Sequence, residues 1–313
     1  MITNLKLSLK FGMVIMMLLA FCGMPTLSAN AATLLVVDDD GFGTASNCNA
    51  TTIAFSKIQD AVNSALAGDT ILICPGTFDE QVAITKSDIT IQGSGTALTV
   101  LQPHTVSVNS AGVLDPFPIA AILLITGATN VNVKGLTVDG SLADNGISNP
   151  PCLETGYYVG VYYRNSSGSI QSSHITNIGS ATRCTSGVTV SSGFASNASL
   201  AVNNNMLDNY SNIGLNCGGP NTTCSVGGNT FQGLGPIDFS QAGIILRLGA
   251  GGEFFGNTIV DHFNSQAHGV PQFSVGIALF NAESNLNPHL LQTNFFSGNQ
   301  INIQRQSTAA AFE

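Results

Sequence analysis

Residues Phe55–Leu101 read FSKIQDAVNSALAGDTILICPGTFDEQVAITKSDITIQGSGTALTVL. Ser56 followed by Gln59 has the form of a capping box at a helix start. Phe55, Ile58, Val62 and Leu66, with Ala61 and Ala65, then fall on one helical face at three- and four-residue spacing. Gly68 is the expected stop. After it come four short apolar runs, Ile71–Ile73, Val82–Ile84, Ile89–Ile91 and Leu98–Leu101, separated by Pro75-Gly76, Lys86-Ser87-Asp88 and Gly93-Ser94-Gly95. Strands of three or four residues with no helix between them describe a chain that winds in a coil, not a sheet that folds back on itself.

Downstream the winding becomes a repeat. Ile119–Ile125 is an apolar run bounded by turns, too short to cross a bilayer. Val131–Val133 and Leu136–Val138 follow, and residues 141–156, with Pro150-Pro151, read as a loop. Five segments then open alike, at Gly160, Gly187, Gly214, Gly243 and Gly276, spaced 27, 27, 29 and 33 residues apart. That is a solenoid period with insertions in the later turns. Asn205, Asn229, Asn257 and Asn294 each precede an apolar pair, and at equivalent positions their amides would stack along the axis as a ladder. The structural reading of these asparagines outweighs a catalytic one.

The run Gly68-Asp69-Thr70-Ile71, Pro75-Gly76-Thr77-Phe78, Glu80, Val82, Ile84 resembles the opening of right-handed parallel β-helix proteins, the pectin-lyase-like superfamily. The resemblance implies an all-β solenoid with a capping helix that plugs the first open rung. No linker-like stretch divides residues 32–313, which read as one domain with a cap at 32–68 and coils from 69 on. Gly76–Glu80 is also similar to an early stretch of pectin methylesterases, but the other motifs of that family are missing and the chain has no Trp. Ala267-His268-Gly269 is a fragment of a polygalacturonase motif, and Asn287-Pro288-His289 has Asn where mannuronan epimerases carry Asp. Three enzyme motif sets therefore fail.

Upstream, Lys6 and Lys10 precede the apolar run Phe11–Phe21, and Ser28–Ala32 supplies small residues. This predicts a signal peptide over residues 1–31, cleaved after Ala31, and a secreted or periplasmic protein with no membrane span in the mature chain. Phe21 ahead of Cys22 argues against lipid attachment. Asp38, Asp39 and Asp40 before Gly41 lack the spacing of a calcium loop. They read as a solvated turn, with calcium left open as the one cofactor and no metal site assigned. The chain carries 9 basic against 18 acidic residues, which excludes an electrostatic footprint for nucleic acid. Of seven cysteines, Cys22 leaves with the signal. The other six allow fifteen connectivities, of which the sequential set Cys48–Cys74, Cys152–Cys184 and Cys217–Cys224 is preferred. Asn49, Asn165, Asn197 and Asn221 head Asn-x-Ser/Thr sequons, uninformative in so polar a chain.

Strand alternation sorts the repeat residues by face. With Val161 and Tyr163, Val188 and Val190, and Ile244 and Leu246 inward, the outward and solvent-facing set is Tyr162, Arg164, Thr189, Ser191, Asn216, Gly218, Ile245, Arg247, Ala278 and Phe280. On β-helix enzymes the substrate groove lies over such a sheet, so the resemblance makes Tyr162, Ser191 and Asn216 contacts for a polysaccharide, with Asp139 from an overhanging loop. Arg164, Arg247 and Asp238 are the candidate catalytic groups. The expected function is carbohydrate binding on a polar solenoid face. The alternative is a polysaccharide lyase, hydrolase or esterase, for which no pair of residues has a diagnostic spacing.

Overall fold

A computed structural model describes residues 31–114, 116–143, 157–179, 185–265, 274–282 and 293–306. Residues 32–313 group as one body. The short apolar runs become the rungs of three parallel sheets, which the chain visits in turn from Thr70–Ile73 to Val275–Phe280. Sheet 1 stacks Leu34–Val37, Thr70–Ile73, Thr90–Gly93, Val131–Lys134, Ser167–Gln171, Ala198–Asn203, Thr222–Gly227 and Gly251–Phe255. Sheet 2 stacks Gly76–Phe78, Thr99–Leu101, Thr137–Asp139, His174–Thr176, Met206–Asp208, Thr230–Ile237, Thr258–Asn264 and Phe295–Ser297. Sheet 3 stacks Val82–Ile84, Pro118–Thr126, Tyr157–Arg164, Thr185–Ser191, Ile213–Gly218, Ala242–Arg247, Val275–Phe280 and Ile301–Gln306. This is a parallel β-helix, the architecture implied by the resemblance to the pectin-lyase-like superfamily. No single coil buries its apolar residues, but the stacked coils enclose one continuous column from Val37 to Leu279.

Two ladders hold the coils in register. Asn205 Nδ2 donates to Asn229 Oδ1, Asn229 Nδ2 to Asn257 Oδ1 and Asn257 Nδ2 to Asn294 Oδ1, at 2.8–3.0 Å. Each amide also donates to a strand carbonyl, of Ile170, Val202 or Val226, so buried polar groups at the bend are paired along the axis. The repeat glycines form the second column. A Cβ on Gly160, Gly187, Gly214, Gly243 or Gly276 would stand 2.6–2.8 Å from a carbonyl oxygen of the next coil. Side chains of sheet 2, among them Ile175, Phe231 and Phe296, close on these positions from inside.

Several expectations change. The helix is Ile58–Ser64, one turn shorter than the apolar pattern, and Leu66 is exposed. The Ser56–Gln59 capping box does not form, since the N-cap is Lys57 and has no side-chain cap bond. Instead, Glu80 accepts from the backbone N–H of Ile58 at 2.7 Å and of Gln59 at 3.0 Å. A carboxylate from the coil thus takes the place of a local cap. The buried Ile58, Ala61 and Val62 join the central column. Gly76–Phe78 is a strand although Pro75-Gly76 has the local form of a turn, because the coil supplies its parallel partner Thr99–Leu101. The last strand of sheet 3 runs on through the polar residues Gln304 and Gln306.

Asp69 explains the Gly-Asp-Thr signature. It accepts from Thr33 N–H and hydroxyl and from Leu66 N–H, and these bonds, led by the Thr33 hydroxyl, hold its carboxyl below the usual range. Cys48–Cys74 ties the segment before the helix to the residue after Thr70–Ile73, and Cys217–Cys224 joins sheets 3 and 1. The Cys152–Cys184 pairing lies outside the described residues. Asp38 is buried, not solvated, while Asp39 and Asp40 are exposed. Burial, then the neighbouring Asp40 and Asp39, push its carboxyl up.

Candidate functional site

The outer face of sheet 3 carries the residues singled out from the sequence. Register places Tyr162, Thr189, Asn216, Ile245 and Ala278 in one outward column, and Arg164, Ser191, Gly218, Arg247 and Phe280 in the next. The alternation is as expected, but exposure to solvent is not. Tyr162, Thr189, Asn216, Ile245, Ala278 and Phe280 are all less than a tenth exposed. The apolar outward side chains pack against one another. Ile119, Ala121, Leu124, Val159 and Tyr162 cluster over the earlier coils, and Ile213, Ala242, Ile245, Val275, Ala278 and Phe280 over the later ones. Between the clusters the face turns polar.

That polar window is the floor of a cavity of about 70 Å³, lined by Ser186, Thr189, Ser191, Asn216, Gly218 and Arg247 together with Tyr157 and Tyr162. Its other wall comes from a hairpin in which Ser110–Ala111 pairs antiparallel with Pro118–Ile119. Val113, Leu114 and Phe117 of that hairpin face the cavity. Arg164 Nε donates to Ala111 O at 3.0 Å and so fastens the hairpin over the sheet.

Of the residues expected to act together, Tyr162, Ser191, Asn216 and Arg247 do meet here. Tyr162 and Ser191 share a hydrogen bond of 2.9 Å between their hydroxyls. Burial pushes the Tyr162 phenol up, against the Ser191 bond and the nearby Arg164 and Arg247 guanidinium groups, so it stays protonated at neutral pH. Asn216 Oδ1 and Arg247 Nε are buried and make no hydrogen bond to any described residue. Gly112–Leu114, Phe117, Tyr157 and Gly218 were not singled out as site residues. The hairpin carries turn signals in Gly112 and Pro116, but nothing local says which face it covers.

Arg164 does not line the cavity. Arg164 and Arg247 hold matching register positions three coils apart, about 14 Å at the usual strand spacing. Asp139 sits on sheet 2, bonded by Gln102, Ser141 N–H and Asn177. Asp238 is exposed, just past the sheet 2 strand Thr230–Ile237. Also on sheet 2, His174 Nε2 lies 3.0 Å from Asp208 Oδ1. Burial raises the Asp208 carboxyl, but the His174 and Thr176 bonds outweigh it and leave it lowered. The one group of candidate metal ligands among the described residues, Asp38 with Cys48 and Cys74, has both sulfurs committed to a disulfide. It offers calcium a single buried carboxylate, and the residues do not fit the ion.

No protein-family model and no curated protein sequence matches the chain. Among solved structures it is similar to an alginate lyase from Paenibacillus sp. str. FPU-7, at 18% identity over 81% of this chain and 96% of that one, TM-score 0.38. It is also similar to the rice weevil pectin methyl esterase, at 11% identity over 94% and 93%, TM-score 0.42. A GH136 lacto-N-biosidase from Eubacterium ramulus matches at 10% identity over 87% and 68%, TM-score 0.39. All three scores lie under 0.5, so the parallel β-helix assignment rests on the strand order and the functional reading on the cavity.

Proposed function

We propose that the protein is exported, to the periplasm or the exterior, and binds carbohydrate in the cavity over sheet 3. The observation that carries this reading is that two of the four buried, unpartnered polar atoms among the described residues, Asn216 Oδ1 and Arg247 Nε, belong to residues that line a cavity walled by Tyr157, Tyr162 and Phe117. Buried polar groups are normally paired. A ligand with hydroxyl edges and an apolar ring face would supply both partners and cover the aromatic wall. Two disulfides support an oxidising compartment. Among the described residues no helix is long and apolar enough to cross a membrane.

Binding is favoured over turnover because the described lining residues include no carboxylate, histidine, lysine or free thiol, and burial holds the Tyr162 phenol protonated. General acid–base work by Tyr157 or Tyr162 would need a partner to take up or return the proton. Titration calorimetry against a panel of oligosaccharides, with a parallel assay for unsaturated or reducing-end product, tests the reading. The expected result is binding without turnover, weakened at least about tenfold by Arg247→Ala, with a melting temperature within a few degrees of the parent. Binding that is unchanged in the variant would place the site elsewhere, and product formation would restore the enzyme alternative.

A further inference from the structure

The floor of the cavity has a niche made by one missing side chain. In the outward column Arg164, Ser191, Gly218, Arg247, the third residue is glycine. The Arg247 side chain lies back across it. A Cβ on Gly218 would stand 3.5 Å from Arg247 Cγ and Nε and 3.9 Å from Asn216 Oδ1. The buried donor and the buried acceptor that lack partners therefore both lie beside the position a side chain on residue 218 would enter. Asn216 is only 7% exposed, so its oxygen has no ready recourse to bulk water.

We infer that this niche takes a single hydroxyl of a neutral sugar, its oxygen accepting from Arg247 Nε and its proton going to Asn216 Oδ1. The inference rests on the carbohydrate reading above and narrows it. A hydroxyl is donor and acceptor at once, whereas a carboxylate only accepts. A carboxylate would satisfy the guanidinium but press a second acceptor against the Asn216 oxygen. It would also enter a molecule whose formal net charge is −9. Size points the same way. About 70 Å³ is well below the roughly 150 Å³ that admits benzene, so one substituent enters and the sugar ring stays at the mouth. A hydroxymethyl group fits that description. The contrast the niche would read is a hexose against the matching hexuronate, which differ at that one carbon.

Gly218→Ala is a direct probe. Its backbone is not in the left-handed region, and the added methyl meets its neighbours at ordinary van der Waals distance. The fold should accept it while the niche is filled. Asn216→Leu removes the acceptor at similar volume and serves where the alanine lowers the melting temperature. Calorimetry would compare methyl glucoside, galactoside and mannoside with the corresponding methyl uronosides, on parent and both variants. The expected result is a preference of at least about tenfold for one neutral glycoside over its uronoside, lost in both variants. A uronoside that binds as well or better overturns the hydroxyl assignment and leaves carbohydrate binding standing. So does an affinity indifferent to Gly218→Ala, which would mean that the niche holds water only. If the parent binds no glycoside or oligosaccharide, the carbohydrate reading falls and the niche assignment with it.

Discussion

His262 shows how one side chain ties this solenoid to pH. It is fully buried between sheets 2 and 3. Its Nδ1 lies 2.8 Å from Asn299 Oδ1, which can only accept, so Nδ1 carries the proton. Nε2 must then accept from the Tyr210 hydroxyl at 2.6 Å. Burial pushes its pKa down to about 4, despite the Asn299 bond. The unfolded chain, with an ordinary histidine, takes up the proton first as pH falls. Stability from this group is therefore full above about pH 6.5 and drains away toward pH 4, by roughly 3 kcal/mol. Urea unfolding of the parent and of His262→Gln between pH 7.5 and 4.5 should show the parent losing more. Parallel pH dependences would refute the assignment.

At the scale of the element, the helix Ile58–Ser64 is too short to be stable by itself. It holds because Glu80 takes its first two free N–H groups and because one face joins the central column. Glu80→Ala should cost about 1–2 kcal/mol, and Glu80→Gln less, since an amide oxygen still accepts. We also propose that this helix covers the first coil. Hydrogen exchange in Thr70–Ile73 and Val82–Ile84 should then quicken in Glu80→Ala. Unchanged protection there would show that the helix is an appendage to the solenoid and not its cover.

For the whole molecule, stability is a sum over neighbouring coils, so damage in the middle interrupts the stack while damage at an end only frays it. The glycine column tests this. Gly214 and Gly276 face equally close carbonyls, at 2.6 and 2.7 Å from an added Cβ, but Gly214 lies mid-stack and Gly276 next to the last rung of sheet 3. Gly214→Ala should lower stability by several kcal/mol and cost β structure by circular dichroism. Gly276→Ala should cost less and leave the earlier coils protected from exchange. Equal losses would mean that the solenoid unfolds as a single cooperative block.

What could be read from the chain alone was whatever repeats with the coil. Gly160 to Gly276, Asn205 to Asn294 and the inward pairs such as Val188 and Val190 recur because each coil meets the same neighbours. Periodicity therefore reported architecture, the ladders and the outward column containing Tyr162, Asn216 and Arg247. Local chemistry misled where a distant group took over. Glu80 replaced the Ser56–Gln59 cap, and Thr99–Leu101 turned a presumed turn into a strand. The solvent-facing reading failed because exposure is not a property of a strand's pattern. Alternation says only that Tyr162 and Phe280 point out of the coil. Whether water meets them there depends on what lies across the sheet. The hairpin carrying Val113 and Phe117 returns over sheet 3 through non-local contacts, fastened by Arg164 across 53 residues of sequence. The meeting of Asn216 and Arg247 over Gly218, from strands separated by a full coil, was likewise decided by the stacking of one coil on the next.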